Sequence, residues 1–434
     1  MSTQFSGAGV APWSLLVLSV WGAVGCGTDQ VVLTSSSVEA ASRIASVEQA
    51  LPSADAGAAD AGGGALRYFI GKYVQSEEGD ASHFAATAAA QAADLSVFDP
   101  AGSGIERVGY NHGISHGNSV FIPDALTPEL SRYDVGPSGE LVLAATLSFA
   151  DVGLGAVDGF TLSIASETKA YLFDPDTTRL IAWDPSLMQL SGVQIELAPL
   201  VPPGLFLFAA SEYARVQGGR LFLPLGFFDQ EGVIVSTSAV AVIDIRSDEL
   251  LGIVQDSRCP AYAMVPAPSG DLYFYPADFL VQALYLSVEG PRPELCSLRI
   301  KAGELEFDPD YQLNLGALVG ASPTSGGGVQ GGIADGRGGI YISVADEALF
   351  ADGEVNGGGF YRLWHLDLAT SGASELPLAP IWRGGMLGYG EATGPVFAVQ
   401  PSDTGETTAV VDFSTEPPSA FDMQGAIDPF VQLP

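Results

Sequence analysis

The sequence predicts an all-β chain: a seven-bladed β-propeller preceded by a signal peptide and a disordered tether. Three observations predict it. A strand-and-turn pattern recurs near every fifty residues, the composition is rich in glycine and poor in charge, and an apolar N-terminal run closes on a cysteine.

The repeat is the strongest of the three, because a period of 20–50 residues marks an architecture of stacked or radial units. A glycine, two residues and then an aromatic or branched residue in a strand-like run recur in "GNSVFIP" at 117, "GRLFLPL" at 219, "GDLYFYP" at 270, "GGIYISV" at 338 and "GPVFAVQ" at 394. Degenerate copies read "ALRYFIG" at 65 and "TKAYLFD" at 168. Aligned on Tyr68, Val120, Tyr171, Phe222, Tyr273, Tyr341 and Phe397, the copies are 52, 51, 51, 51, 68 and 56 residues apart. A second run travels with each copy and ends on an acid: Asp99, Asp134, Asp184, Asp244, Asp367 and Asp412, with Arg299 in the acidic slot of the fifth. Polar turns such as "PDTTR" and "RSDEL" follow, which are hairpin signals, so these acids read as turn residues before ligands. A four-stranded sheet cannot cover both faces alone, whereas radial packing covers the flanks of each and leaves short edges. The glycine-led strand is expected to be the innermost of its blade. Seven blades is the count adopted; the terminal copies are the weakest, so six and eight are the alternatives.

Composition agrees. Hydrophobic residues are 47% and charged residues 16%, with 53 Gly and 28 Pro among 434 residues, which suits short strands and turns over charged helices. Acids outnumber bases 51 to 17, for a formal charge of −34. That field repels nucleic acid and anionic lipid headgroups, and an anionic ligand would need a locally basic pocket.

The N-terminus reads as an address. Residues 10–25, "VAPWSLLVLSVWGAVG", are apolar, uncharged and shorter than the roughly 20 residues of a spanning helix, and they end in small residues as an export signal does. "AVGC", closing at Cys26, resembles the lipobox of bacterial lipoproteins, in which the cysteine is acylated. It departs from that pattern in lacking Lys or Arg in "MSTQFSGAG" and in carrying Ala23 three before the cysteine. An ordinary cleaved secretory signal is the alternative. The expected parts are a lipoprotein signal peptide over 1–25, a lipidated Cys26 with a flexible linker over 26–65, and the propeller over 66–434. Outer-membrane anchoring through lipid alone is the expected localisation. Cys259 and Cys296 remain as a disulfide candidate in an oxidising envelope, or as two separate buried thiols.

Candidate site residues come from the connections between blades, which gather around the axis at one end, where loops vary on a rigid frame. "YNHGISHGNSVF" at 110–121 places His112 and His116 there. Gly113 and Gly117 argue against a helix, so a metal-binding His-x-x-x-His face is unsupported; ligand contact and bracing of a bent connection both stay open. The equivalent connections contribute Tyr213, Arg215, Tyr262, Arg383 and Tyr389. Arginine and tyrosine around a concave mouth suit a planar, anionic, hydrogen-bonding ligand. No Gly-x-Ser-x-Gly elbow, P-loop, dinucleotide fingerprint or zinc-protease motif occurs, so binding is expected in place of catalysis, with no metal or cofactor of the protein's own.

The repeat behind a lipobox and tether, with "HGISHGNSVFIP" and "GRLFLPLGFFD…VAVIDIRSDEL", resembles lipoproteins of myxobacterial siderophore-transport gene clusters. More distantly it resembles siderophore-binding propeller lipoproteins of Bacteroidetes. The resemblance implies an envelope lipoprotein that captures a ferric catecholate complex and passes it to a TonB-dependent outer-membrane receptor, with iron present only inside the bound complex. A protein-interaction scaffold without a small ligand, and a propeller hydrolase, are the competing expectations.

Overall fold

The computed structural model describes residues 67–433, apart from 75–79, 88–97, 103, 231–234, 277–294, 321–328, 336, 346–360, 379–386, 391–395, 402–406 and 414–417. The expected signal peptide, Cys26 and tether lie outside the described residues, as does Arg383.

The chain opens with three strands, β1 (Arg67–Val74), β2 (Ala81–Ala86) and β3 (Ile105–Val108). Blade I follows as β4 (Ile114–His116), β5 (Ser119–Pro123), β6 (Glu129–Val135) and β7 (Leu141–Ser148). Blade II is β8 (Leu162–Ser166), β9 (Lys169–Asp174), β10 (Arg179–Asp184) and β11 (Gln189–Glu196). Blade III is β12 (Phe206–Ala209), β13 (Arg215–Gln217), β14 (Arg220–Phe228), β15 (Ser238–Asp244) and β16 (Glu249–Asp256). Blade IV is β17 (Ala263–Pro266), β18 (Leu272–Tyr275), β19 (Cys296–Ile300) and β20 (Leu313–Asn314). Blade V is β21 (Val329–Ala334), β22 (Gly339–Ala345), β23 (Tyr361–Asp367) and β24 (Gly372–Glu375). Blade VI is β25 (Leu387–Gly390), β26 (Val396–Pro401), β27 (Thr407–Asp412) and β28 (Ser419–Gln424). The final strand, β29 (Ala426–Leu433), returns to pair antiparallel with β1, matching Arg67 with Leu433 and Phe69 with Val431.

The expectation of seven repeat units is corrected. Six blades, not seven, are continuous in sequence; the remaining sheet, ordered β29-β1-β2-β3, is stitched from the two ends. The cause is a shift of phase. The glycine-led run that marks each copy is the second strand of its blade, as in β5, β14, β18 and β22, and not the innermost. A short strand precedes it on the axial side, such as β4 or β17. The first copy has no such strand among the described residues, and β29 supplies one from the far end.

Burial follows position in the blade. The second strand of blade II, Lys169-Ala-Tyr-Leu-Phe-Asp174, is buried on both faces past its first residue, so it reads as one apolar run. Its outermost strand, Gln189-Leu-Ser-Gly-Val-Gln-Ile-Glu196, is largely solvated and correspondingly polar. The core is divided among the gaps between sheets. Phe121, Leu172 and Trp183 fill the gap between blades I and II; Val242, Phe274 and Leu298 fill that between III and IV. Tyr68, Met423 and Phe430 seal blade VI to the closing sheet, and Phe69, Val120 and Leu433 seal that sheet to blade I.

Three of the strand-end acids behave as turn residues. Asp184 accepts backbone hydrogen bonds from Ser186 and Leu187, Asp244 from Arg246 and Ser247, and Asp367 from Ala369 and Thr370. Four residues beyond each, Met188, Asp248 and Ser371 adopt left-handed φ of 51°, 58° and 59° to close the hairpin. These turns also tie blade to blade. Asp248 of blade III receives Lys169 Nζ at 2.6 Å and the Tyr171 hydroxyl at 2.7 Å from blade II. Arg132 of blade I donates to the Ser186 carbonyl of blade II at 2.8 Å, and Tyr311 of blade IV to the Leu368 carbonyl of blade V at 2.7 Å.

Candidate functional site

Strand direction defines two ends. The entry end carries the connections between blades and the turns joining second to third strands; the far end carries the other hairpins. His112 precedes β4 and so sits at the entry end, whereas His116 closes β4 beside the hairpin at the far end. The pair therefore shares no site.

His112 is 1% exposed, with its ring stacked on Phe160 at 4.6 Å. Its carbonyl lies 2.0 Å from where a Cβ on Gly159 would stand, so only glycine admits the connection of the next blade. His116 Nε2 is 3.5 Å from Glu167 Oε1, on the first hairpin of blade II. Burial holds its pKa below the ordinary histidine value, against the opposing pull of Glu167, so the ring is neutral at neutral pH. His112 thus packs into the entry end of the junction between blades I and II, and His116 lies against Glu167 at the far end of the same junction.

Three of the other predicted rim residues are buried as well. Tyr213, Arg215 and Tyr262 are 2%, 3% and 1% exposed, so they stand recessed behind the mouth and not on its rim. Tyr262 packs on Phe208 at 5.5 Å and donates its hydroxyl to the Val235 carbonyl at 2.8 Å; burial pushes its pKa up. Tyr389 pairs with Phe397 in β25–β26. Arg383 falls outside the described residues.

Three departures from the repeat gather at blades III and IV. The first lies on the axis. The innermost edge of blade III is split: β12 pairs with one half of β14, β13 with the other, and a 3-10 turn over Ser211–Tyr213 interrupts them. The strand resumes on the buried Arg215, whose Nη1 donates to the Ala214 carbonyl at 2.9 Å. Ser163 of blade II braces this turn through the Ser211 carbonyl at 2.8 Å.

The second departure is covalent. Cys259, in the connection from blade III to blade IV, is disulfide-bonded to Cys296 at the start of β19, with Cα atoms 5.9 Å apart. The third is the slot where Arg299 replaces the usual acid. The chain there makes an excursion over 301–312, and Asp308 comes back to Arg299, which binds its carboxylate with Nη2 while Lys301 Nζ approaches at 3.2 Å. The hydrogen bond from Arg299 first, then the Asp310 backbone N–H and Lys301, hold the Asp308 carboxyl down at about 2. Between this excursion and β16 lies a cleft of about 580 Å³ lined by Leu251, Gly252, Val254, Leu305 and Phe307. Sequence reasoning missed this cleft, although two signals pointed to it: Arg299 in an acidic slot, and a glycine inside the strand-like run "ELLGIVQD". Among the described residues no group of three or more His, Cys, Asp or Glu could hold a metal ion.

No protein-family model and no curated protein matches the chain. Among solved structures it is similar to the periplasmic gluconolactonase of Pseudomonas aeruginosa, at TM-score 0.52 and 10% identity over 85% of this chain and 99% of that one. A putative 6-phosphogluconolactonase from Bacteroides fragilis follows at TM-score 0.48 and 12% identity, covering 84% and 98%. A quinonprotein alcohol dehydrogenase-like protein from Bacteroides thetaiotaomicron gives TM-score 0.45 and 10% identity, covering 83% and 77%. The protein is a β-propeller. At 10% identity the likeness to the first of these carries the fold alone and assigns no ligand, family or reaction.

Proposed function

We propose that this protein is a lipid-anchored envelope propeller that binds a small anionic ligand, with a ferric catecholate siderophore complex as the first candidate. It would work in iron uptake, beside a TonB-dependent receptor of the outer membrane. The observation that carries the reading is the split innermost strand of blade III, which departs from the repeat to bury one of only 17 basic residues beside the axis. A buried guanidinium is costly in a water-poor site and offers planar, bidentate recognition of oxyanions.

The test is titration of the purified protein with a ferric tris-catecholate, read by quenching of intrinsic fluorescence. Saturable quenching at about micromolar concentration, weakened about 10- to 100-fold in Arg215→Gln, is the expected result. Absence of quenching, or an unaltered affinity in the variant, refutes it. Opening of a gluconolactone by the wild type, followed by proton release, would place the chain among hydrolases instead.

A further inference from the structure

The cleft between blades III and IV has a chemistry opposite to that proposed for the axis. Its floor exists because of a bulge. The register of β16 on β15 slips between Val242 and Ile243, leaving Leu251 without a partner and 42% exposed. Next to it, a Cβ built on Gly252 would meet no atom within 4 Å, so the strand leaves open space above Val242. The opposite wall is the 301–312 excursion, with Phe307 bridged back to Ile300. Apolar side chains thus face each other across an unfilled gap of a size that suits a small molecule.

Charge decides what kind. Arg258 lines the cleft, yet its donors are committed: Nε and Nη2 to the Asp256 carboxylate at 2.9 and 2.6 Å, Nη2 also to the Asp308 carbonyl, and Nη1 to the carbonyls of Pro309 and Tyr311. That network fastens the excursion and leaves no guanidinium hydrogen to receive an anion. Glu306, also in the lining, is exposed and has no ion-pair partner among the described residues. The background field of −34 adds to it.

We infer that this cleft binds an apolar molecule bearing a cationic amine at one end, its body over Gly252 and its charge toward Glu306. The inference stands apart from the axial site, since an anion held near Arg215 makes no use of these residues.

Two dyes with the same fluorophore test it: dansylcadaverine, which ends in an ammonium, and dansylglycine, which ends in a carboxylate. Dansylcadaverine should show a saturable, blue-shifted rise in emission, with dansylglycine about tenfold weaker or worse. Gly252→Leu fills the gap and should lower dansylcadaverine affinity about tenfold or more while quenching by ferric catecholate is unchanged. Leu251→Asn, at an exposed position, should lower it several-fold, and Glu306→Gln should narrow the difference between the dyes. Equal binding of the two dyes, no binding of either, or full affinity in both Gly252→Leu and Leu251→Asn overturns the inference.

Discussion

Removing the bond between Cys259 and Cys296 perturbs the junction where the repeat is most altered. The bond closes a loop with a sequence separation of 37. In the chain-entropy description, −2.1 − 1.5R ln n for that loop is about −13 cal/mol/K, or about 4 kcal/mol at 25 °C. Residues 66–434 carry an unfolding entropy of about 0.8 kcal/mol/K near the midpoint, so the loss should lower Tm by about 5 °C. Both cysteines are buried, at 1% and 0% exposure, so a Cys259→Ala/Cys296→Ala variant adds a packing loss of about 1 kcal/mol. Calorimetry of the oxidised, reduced and double-alanine proteins should therefore rank them in that order, with thiol titration detecting both cysteines only after reduction. A reduced protein melting within about 1 °C of the oxidised one would show that the constraint is spent on a denatured state already restricted, and would refute the reasoning.

Two further outcomes follow from the packing. Phe430, fully buried and stacked on Tyr68 at 5.3 Å, anchors β29; Phe430→Ala should cost about 3–5 kcal/mol and strip hydrogen-exchange protection from β1 and β29 before the other blades. Retained protection there would show that the seam does not depend on this ring. Because Arg299 depresses the Asp308 carboxyl, the latch should be whole above the ordinary aspartate value of 3.8 and should fade as pH falls toward about 2. In urea titrations the gap between wild type and Asp308→Asn should hold steady down to that window and close inside it. A gap that persists below pH 2 would point to packing instead of charge.

The sequence made the repeat, the strand-end turns and the pairing candidates legible because each is a local signal. Asp184 and Asp244 announce their hairpins through neighbours two and three residues away. The phase of the repeat was not legible: β4 and β17 are only three or four residues long, so the glycine-led strand outshone them. The depth of the inter-blade connections was not legible either. Tyr262 occupies an inter-blade connection, which suggests solvent, but "CPAYAMV" is apolar and its hydroxyl finds a carbonyl, so the connection is sealed. His112 and His116 are four apart in sequence, yet one short strand carries the chain from one end of the ring to the other between them. The cleft needed the excursion and the bulge together, and these are far apart in the chain.

The pairing of β29 with β1 has a consequence for how the molecule is made. The first three strands emerge from the ribosome early but have no cover for their axial edge until the last strand is synthesised. A ring of this kind stays ajar until β29 has been made, and its closure joins strands more than 350 residues apart, which is slow.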